Sequence, residues 1–147
     1  MVRNIIRDRR ILFLCQDNAC LSPIAEAIAM RLGPPQVRIF SAGIIPGPAD
    51  KGTVEALAER GIKLTRAGKG LREISRDDID LIIVLGSLDG SVPSFPSRTR
   101  WEYWPVSDPR KEAGVQLEST RRVIDDLGKR VAGLFLDYRR SCRVVSS

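Results

Sequence analysis

Cys15 stands where an apolar run, "RILFLC", gives way to a short polar stretch, "QDNACL", and then to the start of an apolar helical pattern at "SPIAEAIAM". A cysteine between a strand end and a helix N-terminus lies where backbone N–H groups can converge on an anion. The same field favours the thiolate form of a cysteine placed there, and a thiolate is a nucleophile. Residues 16–21 would supply the N–H groups of such a cradle, and the hydroxyl of Ser22 could bond the sulfur. Asn18 is a residue type that tolerates left-handed backbone and braces tight loops. The loop chemistry leaves a second reading open. Cysteine is often simply buried, and Cys15 could be an inert thiol at the end of a core strand.

The rest of the composition narrows the chemistry. The 147-residue chain contains no histidine, which excludes His-based triads, Cys–His dyads and most zinc sites. No metal site and no cofactor are expected. Acid–base work would fall to carboxylates, thiols, lysines or tyrosines. Three cysteines, Cys15, Cys20 and Cys142, are too few and odd in number for a disulfide scaffold. Net charge is +6 with a pI near 9.7, read here as a solvated basic surface. Aromatics are not interleaved with the basic clusters, which weighs against nucleic acid as a partner. No apolar run approaches the roughly 20 residues of a membrane span. The N-terminus, "MVRNIIRDRR", is basic, but the apolar run that follows it is too short for a signal-peptide core. The expected location is the cytoplasm.

The elements that would position Cys15 follow from the patterning. Residues 10–15 read as a buried strand. Ser22 is placed to cap a helix and Pro23 suits its first turn. Ile24, Ala25, Ile28, Ala29 and Leu32 form its apolar stripe, and Gly33, Pro34 and Pro35 end it. Residues 37–42, "VRIFSA", predict a second strand. Asp50 would cap a second helix running to about Arg60, with Val54, Leu57 and Ala58 inward and Gly61 ending it. Residues 65–70, "TRAGKG", look like a mobile loop. The nearly continuous apolar run "DLIIVL", residues 80–85, suits a central parallel strand covered on both faces. "RWEYW", residues 100–104, reads as a fourth strand. Leu117, Ile124, Leu127, Val131, Leu134 and Tyr138 mark a long closing helix from about Gln116 to Arg140, with a frayed tail after about residue 141.

This alternation predicts one α/β domain over residues 1–147: a three-layer sandwich with a four-stranded parallel sheet and helices on both faces. Ligands of such sheets bind beyond the carboxyl ends of the strands. Three loops end there, those after Cys15 and Leu85 and the one holding Asp108.

The stretch "FLCQDNACLSPIAEAIA" resembles the signature of the low-molecular-weight protein tyrosine phosphatases and their relatives, the thioredoxin-coupled arsenate reductases. That signature is a strand followed by C-x-G-N-x-C-R-S-P-x-A-E, matched here by Cys15, Asn18, Cys20, Ser22, Pro23, Ala25 and Glu26. "FSAG", "DLIIVL" and "WPVSDP" resemble later motifs of the family, in the same order. The resemblance covers about residues 10–137. It implies that Cys15 attacks phosphorus or arsenic as a thiolate. It implies that the loop Gln16, Asp17, Asn18, Ala19, Cys20, Leu21, Ser22 binds the oxyanion, and that Asp108, before Pro109, protonates the leaving oxygen. Read without the resemblance, Asp108 is a turn residue. The implied substrate is a phosphoprotein or a small anionic phosphate ester.

Two departures stand inside the matched loop. The family arginine six residues after the nucleophile is Leu21, and the family glycine two residues after it is Asp17. Leu21 lacks the planar pair of donors that an arginine offers to two phosphate oxygens. Losing two charged hydrogen bonds would cost about 3–6 kcal/mol, or roughly 10²–10⁴ in rate. Asp17 would repel an oxyanion. Arg66, Lys69, Arg72 and Arg110 are the candidate basic replacements. The reductases carry two further cysteines in a later loop; the corresponding positions here are Gly86 and residues 91–93, without cysteine. What remains is the pair Cys15 and Cys20, whose family counterparts can form a protective disulfide; Cys20 could equally be loop packing. The expected function is cysteine-dependent phosphate monoester hydrolysis, weak or lost. The alternatives are a non-catalytic binding or regulatory module on the same fold, and a thiol redox protein using Cys15 and Cys20.

Overall fold

The computed structural model describes residues 9–64 and 66–146, with backbone alone for 141–146. Four strands form one parallel sheet: β1 (Arg10–Cys15), β2 (Arg38–Gly43), β3 (Leu81–Leu85) and β4 (Arg100–Trp104), in the order β2-β1-β3-β4. Cys15 is level with Gly43 on β2, and Leu14 with Val84 on β3. The first strand therefore ends at the carboxyl edge of the sheet, between two neighbours. Three α-helices connect or follow the strands: α1 (Leu21–Leu32), α2 (Lys51–Ala58) and α3 (Gln116–Ser146).

The two central strands divide their side chains between two cores, as the period of two demands. Ile11, Phe13 and Cys15, with Leu81, Ile83 and Leu85, pack against α1, α2 and α3. Leu12, Leu14 and Ile82 face the other way, among Ala42 and Ile79. Fully burying each such aliphatic side chain contributes about 1.5–3 kcal/mol. The expected helices on both faces take an uneven form. All three α-helices share the first core. The second face is covered by two 3-10 turns, Leu71–Glu73 and Arg76–Asp78, and by Leu88, Val92 and Phe95 of the connection after β3.

Several boundaries and faces differ from the sequence reading. The second strand is shifted by one residue, to Arg38–Gly43. Helix α1 starts at Leu21 with Cys20 at its N-cap and no side-chain cap, so Ser22 does not cap it. Leu32, expected in the buried stripe, is exposed. Asp50 does cap α2, accepting from the Thr53 N–H at 2.9 Å, but its carboxylate also takes the Thr53 hydroxyl at 2.9 Å. That turns Thr53, Ala56 and Leu57 inward and leaves Val54 and Ala58 on the outside. The closing helix continues to Ser146, and the side chain of Cys142 lies outside the described residues. Its buried stripe, Ile124, Leu127, Val131, Leu134 and Tyr138, is the expected one. Among the described residues no helix is long and apolar enough to cross a membrane.

Candidate active-site cleft

The loop after β1 is shaped by what its carbonyls bind. The carbonyl oxygens of Cys15, Gln16, Asp17, Asn18 and Ala19 accept, in turn, the backbone N–H groups of Ile44, Ile45, Gly47, Gly68 and Asp50, at 2.9–3.2 Å. Five successive carbonyls thus face outward, onto neighbouring loops. In a trans peptide the next N–H points opposite to the carbonyl, so the loop's N–H groups turn to the inner side. A cradle for an anion would draw on N–H groups turned this way.

Asn18 holds the bend. Its φ is 52°, the left-handed conformation that its residue type tolerates. Its side-chain amide donates to the hydroxyls of Ser22 at 2.8 Å and Ser41 at 2.9 Å, and its oxygen accepts the Lys69 N–H at 2.8 Å. Gly43 lets the strand edge pass close beneath: a Cβ there would stand 2.6 Å from the Asp17 carbonyl carbon and 2.7 Å from the Asn18 nitrogen. Residues 66–70, expected as part of a mobile loop, are tied to this assembly through Gly68, Lys69 and the Lys69 carbonyl, which accepts from Gly43. Thr65 lies outside the described residues.

Cys15 is buried at the floor of the cleft. Its Sγ lies 2.9 Å from the Ser22 Oγ and accepts the Ser22 N–H at 3.4 Å. The serine hydroxyl anticipated as a helix cap has turned inward to the sulfur. Cys20 is also a buried free thiol. Burial pushes it up to about 12, although a hydrogen bond with Thr53 works the other way. It stays a neutral thiol at physiological pH.

The cleft holds about 420 Å³ and is walled by residues of all three expected loops, among them Leu21, Gly86, Tyr103, Asp108 and Arg110. Leu21 is buried in its lining. Gly86, at φ 73°, leaves room for it: a Cβ on Gly86 would stand 3.0 Å from Leu21 Cδ1. Gln16 closes one side by pairing with the backbone of Asp89, donating to its carbonyl at 3.2 Å and accepting its N–H at 2.7 Å.

The polar centre of the cleft is Arg110. Its Nε and Nη2 donate to the two oxygens of Asp108, at 3.0 and 2.7 Å. Its Nη1 and Nη2 donate to the two oxygens of Asp17, at 2.8 and 3.2 Å. One guanidinium is thereby forked across two carboxylates, one on each of two edges. Asp17 Oδ1 also accepts the Ala19 N–H at 3.2 Å, occupying one donor of the loop. Asp108 caps the 3-10 turn Pro109–Lys111, accepting the Arg110 N–H at 2.9 Å, so its turn role and its place in the cleft coincide. Burial raises the Asp108 carboxyl, but the hydrogen bonds and charge of Arg110 outweigh it and hold the group below the usual aspartate value. Arg110 is held still more firmly cationic, first by Asp108 and then by Asp17.

Of the four candidate cations, only Arg110 reaches the cleft. Arg66 pairs with Glu73 at the surface, Arg72 is exposed, and Lys69 turns behind the loop to Glu26. The Gln16–Asp89 clamp and the Lys69–Glu26 pair were missed in the sequence. Each joins residues more than 40 positions apart.

Comparison with known proteins shows what the chain is similar to. The family model of the low molecular weight phosphotyrosine protein phosphatases matches residues 10–142. An arsenate reductase of Bacillus licheniformis is 31% identical over 131 residues, spanning 84% of this chain and 92% of its own. An arsenate reductase of Bacillus subtilis is 28% identical over 131 residues, spanning 86% and 94%. Among solved structures, an arsenate reductase from Archaeoglobus fulgidus superposes with a TM-score of 0.71 at 27% identity, covering 85% of this chain and 98% of that one. The YwlE arginine phosphatase from Geobacillus stearothermophilus shares the fold, with a TM-score of 0.71 at 20% identity over 94% and 96% of the two chains.

Proposed function

We propose, from the premise that the chain belongs to the low molecular weight phosphotyrosine protein phosphatase family, that its cleft is laid out for cysteine-dependent phosphate monoester hydrolysis and performs it weakly or not at all. In this reading the Cys15 sulfur attacks phosphorus, forming an S–P bond as the ester P–O bond breaks. Asp108 gives its proton to the departing oxygen. Water then cleaves the S–P bond, returning the thiolate, and Asp108 takes the proton back. Ser22, within hydrogen-bonding distance of Cys15 Sγ, would steady the thiolate between steps. The substrate class is a phosphoprotein or a small phosphate ester.

The observation that carries the attenuated reading is the Arg110 guanidinium lying across Asp17 and Asp108. It bears on the oxyanion site and on the general acid. Leu21 offers no donor to an oxyanion, and the cation nearest the loop is already neutralised. The Ala19 N–H is taken by Asp17. Asp108 is held ionised by Arg110, whereas a general acid must carry a proton.

The deciding experiment is hydrolysis of a simple aryl phosphate by the wild type and by the double variant Leu21→Arg/Asp17→Gly. Restoring two charged hydrogen bonds should raise the rate by roughly 10²–10⁴. A wild type as fast as the double variant would overturn this reading. The guanidinium bridge also favours a second one, a non-catalytic binding or regulatory module on the same fold. It predicts a double variant that folds, binds phosphate and stays inert.

A further inference from the structure

Arg110 sits in the cleft with its donors arranged in two separate pairs. The Nε–Nη2 edge is fixed on Asp108, only two residues away, by two bonds that the Arg110 backbone N–H reinforces. The Nη1–Nη2 edge reaches 93 positions along the chain to Asp17, in the loop after β1. Asp108 thus acts as an orienting group. It aims the second edge of the guanidinium at the loop whose N–H groups turn inward above Cys15.

That second edge carries the same parallel pair of N–H donors that an arginine presents to two oxygens of a phosphate. The group now filling it is a carboxylate, a planar anion with two oxygens, which also accepts a loop N–H from Ala19. Asp17 therefore does what an oxyanion bound in this loop would do. It takes a forked pair from an arginine and a backbone donor from the cradle. The arrangement carries two negative charges against one positive, so an entering oxyanion meets a net repulsion and finds both forked edges of Arg110 taken.

We propose that Arg110 is the oxyanion-binding arginine of this cleft, standing in for the side chain absent at Leu21, and that Asp17 is its built-in competitor. The inference rests on the reading of the cleft as a phosphate site and adds the residue that would hold the phosphoryl group. Entry of the anion exchanges one bidentate partner of Arg110 for another, while Asp108 keeps the guanidinium aimed. Removing the charge at Asp17 leaves Arg110 and Asp108 as a neutral pair with one free edge facing the loop.

The test is the affinity of the full-length protein for inorganic phosphate, measured by calorimetry at neutral pH. Asp17→Asn should bind phosphate more tightly than the wild type by about 10-fold or more, the worth of one charge-assisted hydrogen bond. Adding Arg110→Gln to that variant should abolish the gain. Circular dichroism checks that each variant is folded. Should Asp17→Asn not fold, Asp17→Ser carries the same expectation and is judged by the same result. Equal phosphate affinity in wild type and the Asp17 variant overturns the proposal. So does a gain that survives Arg110→Gln. Turnover by the wild type decides the reading of function, and phosphate affinity decides this one, so either can fail alone.

Discussion

Lys69 Nζ lies 2.7 and 2.8 Å from the two carboxylate oxygens of Glu26, and both side chains are only 12% exposed. Glu26 also accepts the Ser41 hydroxyl at 2.8 Å, and Ser41 in turn accepts from Asn18. A largely buried ion pair thus stands behind the loop, two hydrogen bonds from the residue that shapes it. Breaking such a pair from one side leaves an uncompensated buried charge and costs about 3–5 kcal/mol. Residual exposure reduces that cost, so Lys69→Met should lower unfolding stability in urea by about 1–3 kcal/mol. Lys69→Met/Glu26→Met should be less damaging than the sum of the single changes, because no lone charge remains. A Lys69→Met midpoint equal to wild type would show that the pair contributes nothing net.

The strands and the closing helix were legible because their signals are local and repeated. "LIIVL" can only be satisfied between two covered faces, and the stripe from Ile124 to Tyr138 has one helical reading. The three loops at the carboxyl edge were legible for the same reason, since strand ends fix where they gather. Side-chain partners were not. Thr53 lies inside α2 because Asp50 takes its hydroxyl as well as its N–H, which no apolar count anticipates. Of the two roles the sequence offers Ser22, helix cap and partner of the Cys15 sulfur, the fold takes the second and adds the amide of Asn18, which no local pattern anticipates. Arg110 was one cation among four. Only the folded chain brings its guanidinium to Asp17.

The raised pKa of Cys20 sets the behaviour of the cysteine pair. Peroxide would convert the Cys15 thiol to a sulfenic acid, and attack by the Cys20 sulfur would form the disulfide with loss of water. That attack needs a thiolate, and Cys20 is held at about 12. A Cys15–Cys20 cross-link should therefore form slowly near neutrality and faster as the pH rises. Mass spectrometry of peptides after mild peroxide reads this directly. Modification confined to Cys142 would rule the pair out.

Thioredoxin-coupled arsenate reduction should be absent, although several relatives are arsenate reductases. The chain that passes the cleft after β3 carries Gly86, and residues 91–93 contain no cysteine. A relay of electrons from the first thiol has no partner there. Arsenate-dependent oxidation of reduced thioredoxin, followed with the purified protein, should stay at background. Turnover that needs thioredoxin and persists in Cys142→Ser would contradict this.

The last prediction concerns the proton on Asp108. Two opposing effects act on this carboxyl. Burial raises it, and Arg110 more than offsets that, so the folded value lies below the ordinary one of about 4. Stability from the pair is thus complete above the ordinary value and is lost as pH falls through the depressed one. Arg110→Gln removes the cation and leaves the burial. The folded value should then rise toward the ordinary one, held back by the backbone N–H of residue 110 and the charge of Lys111, and the stability lost on acidification should shrink. Carboxyl-carbon NMR titration of Asp108 in the two proteins checks the shift, and urea unfolding at a series of pH values checks the smaller loss of stability in acid. A midpoint that does not move would mean that Arg110 does not govern Asp108. The shift also reaches the chemistry. In a Leu21→Arg/Asp17→Gly background, Arg110→Gln should let Asp108 keep its proton to higher pH. The basic limb of aryl phosphate hydrolysis should move upward with it, most visibly for esters with poor leaving groups, where protonation limits the rate.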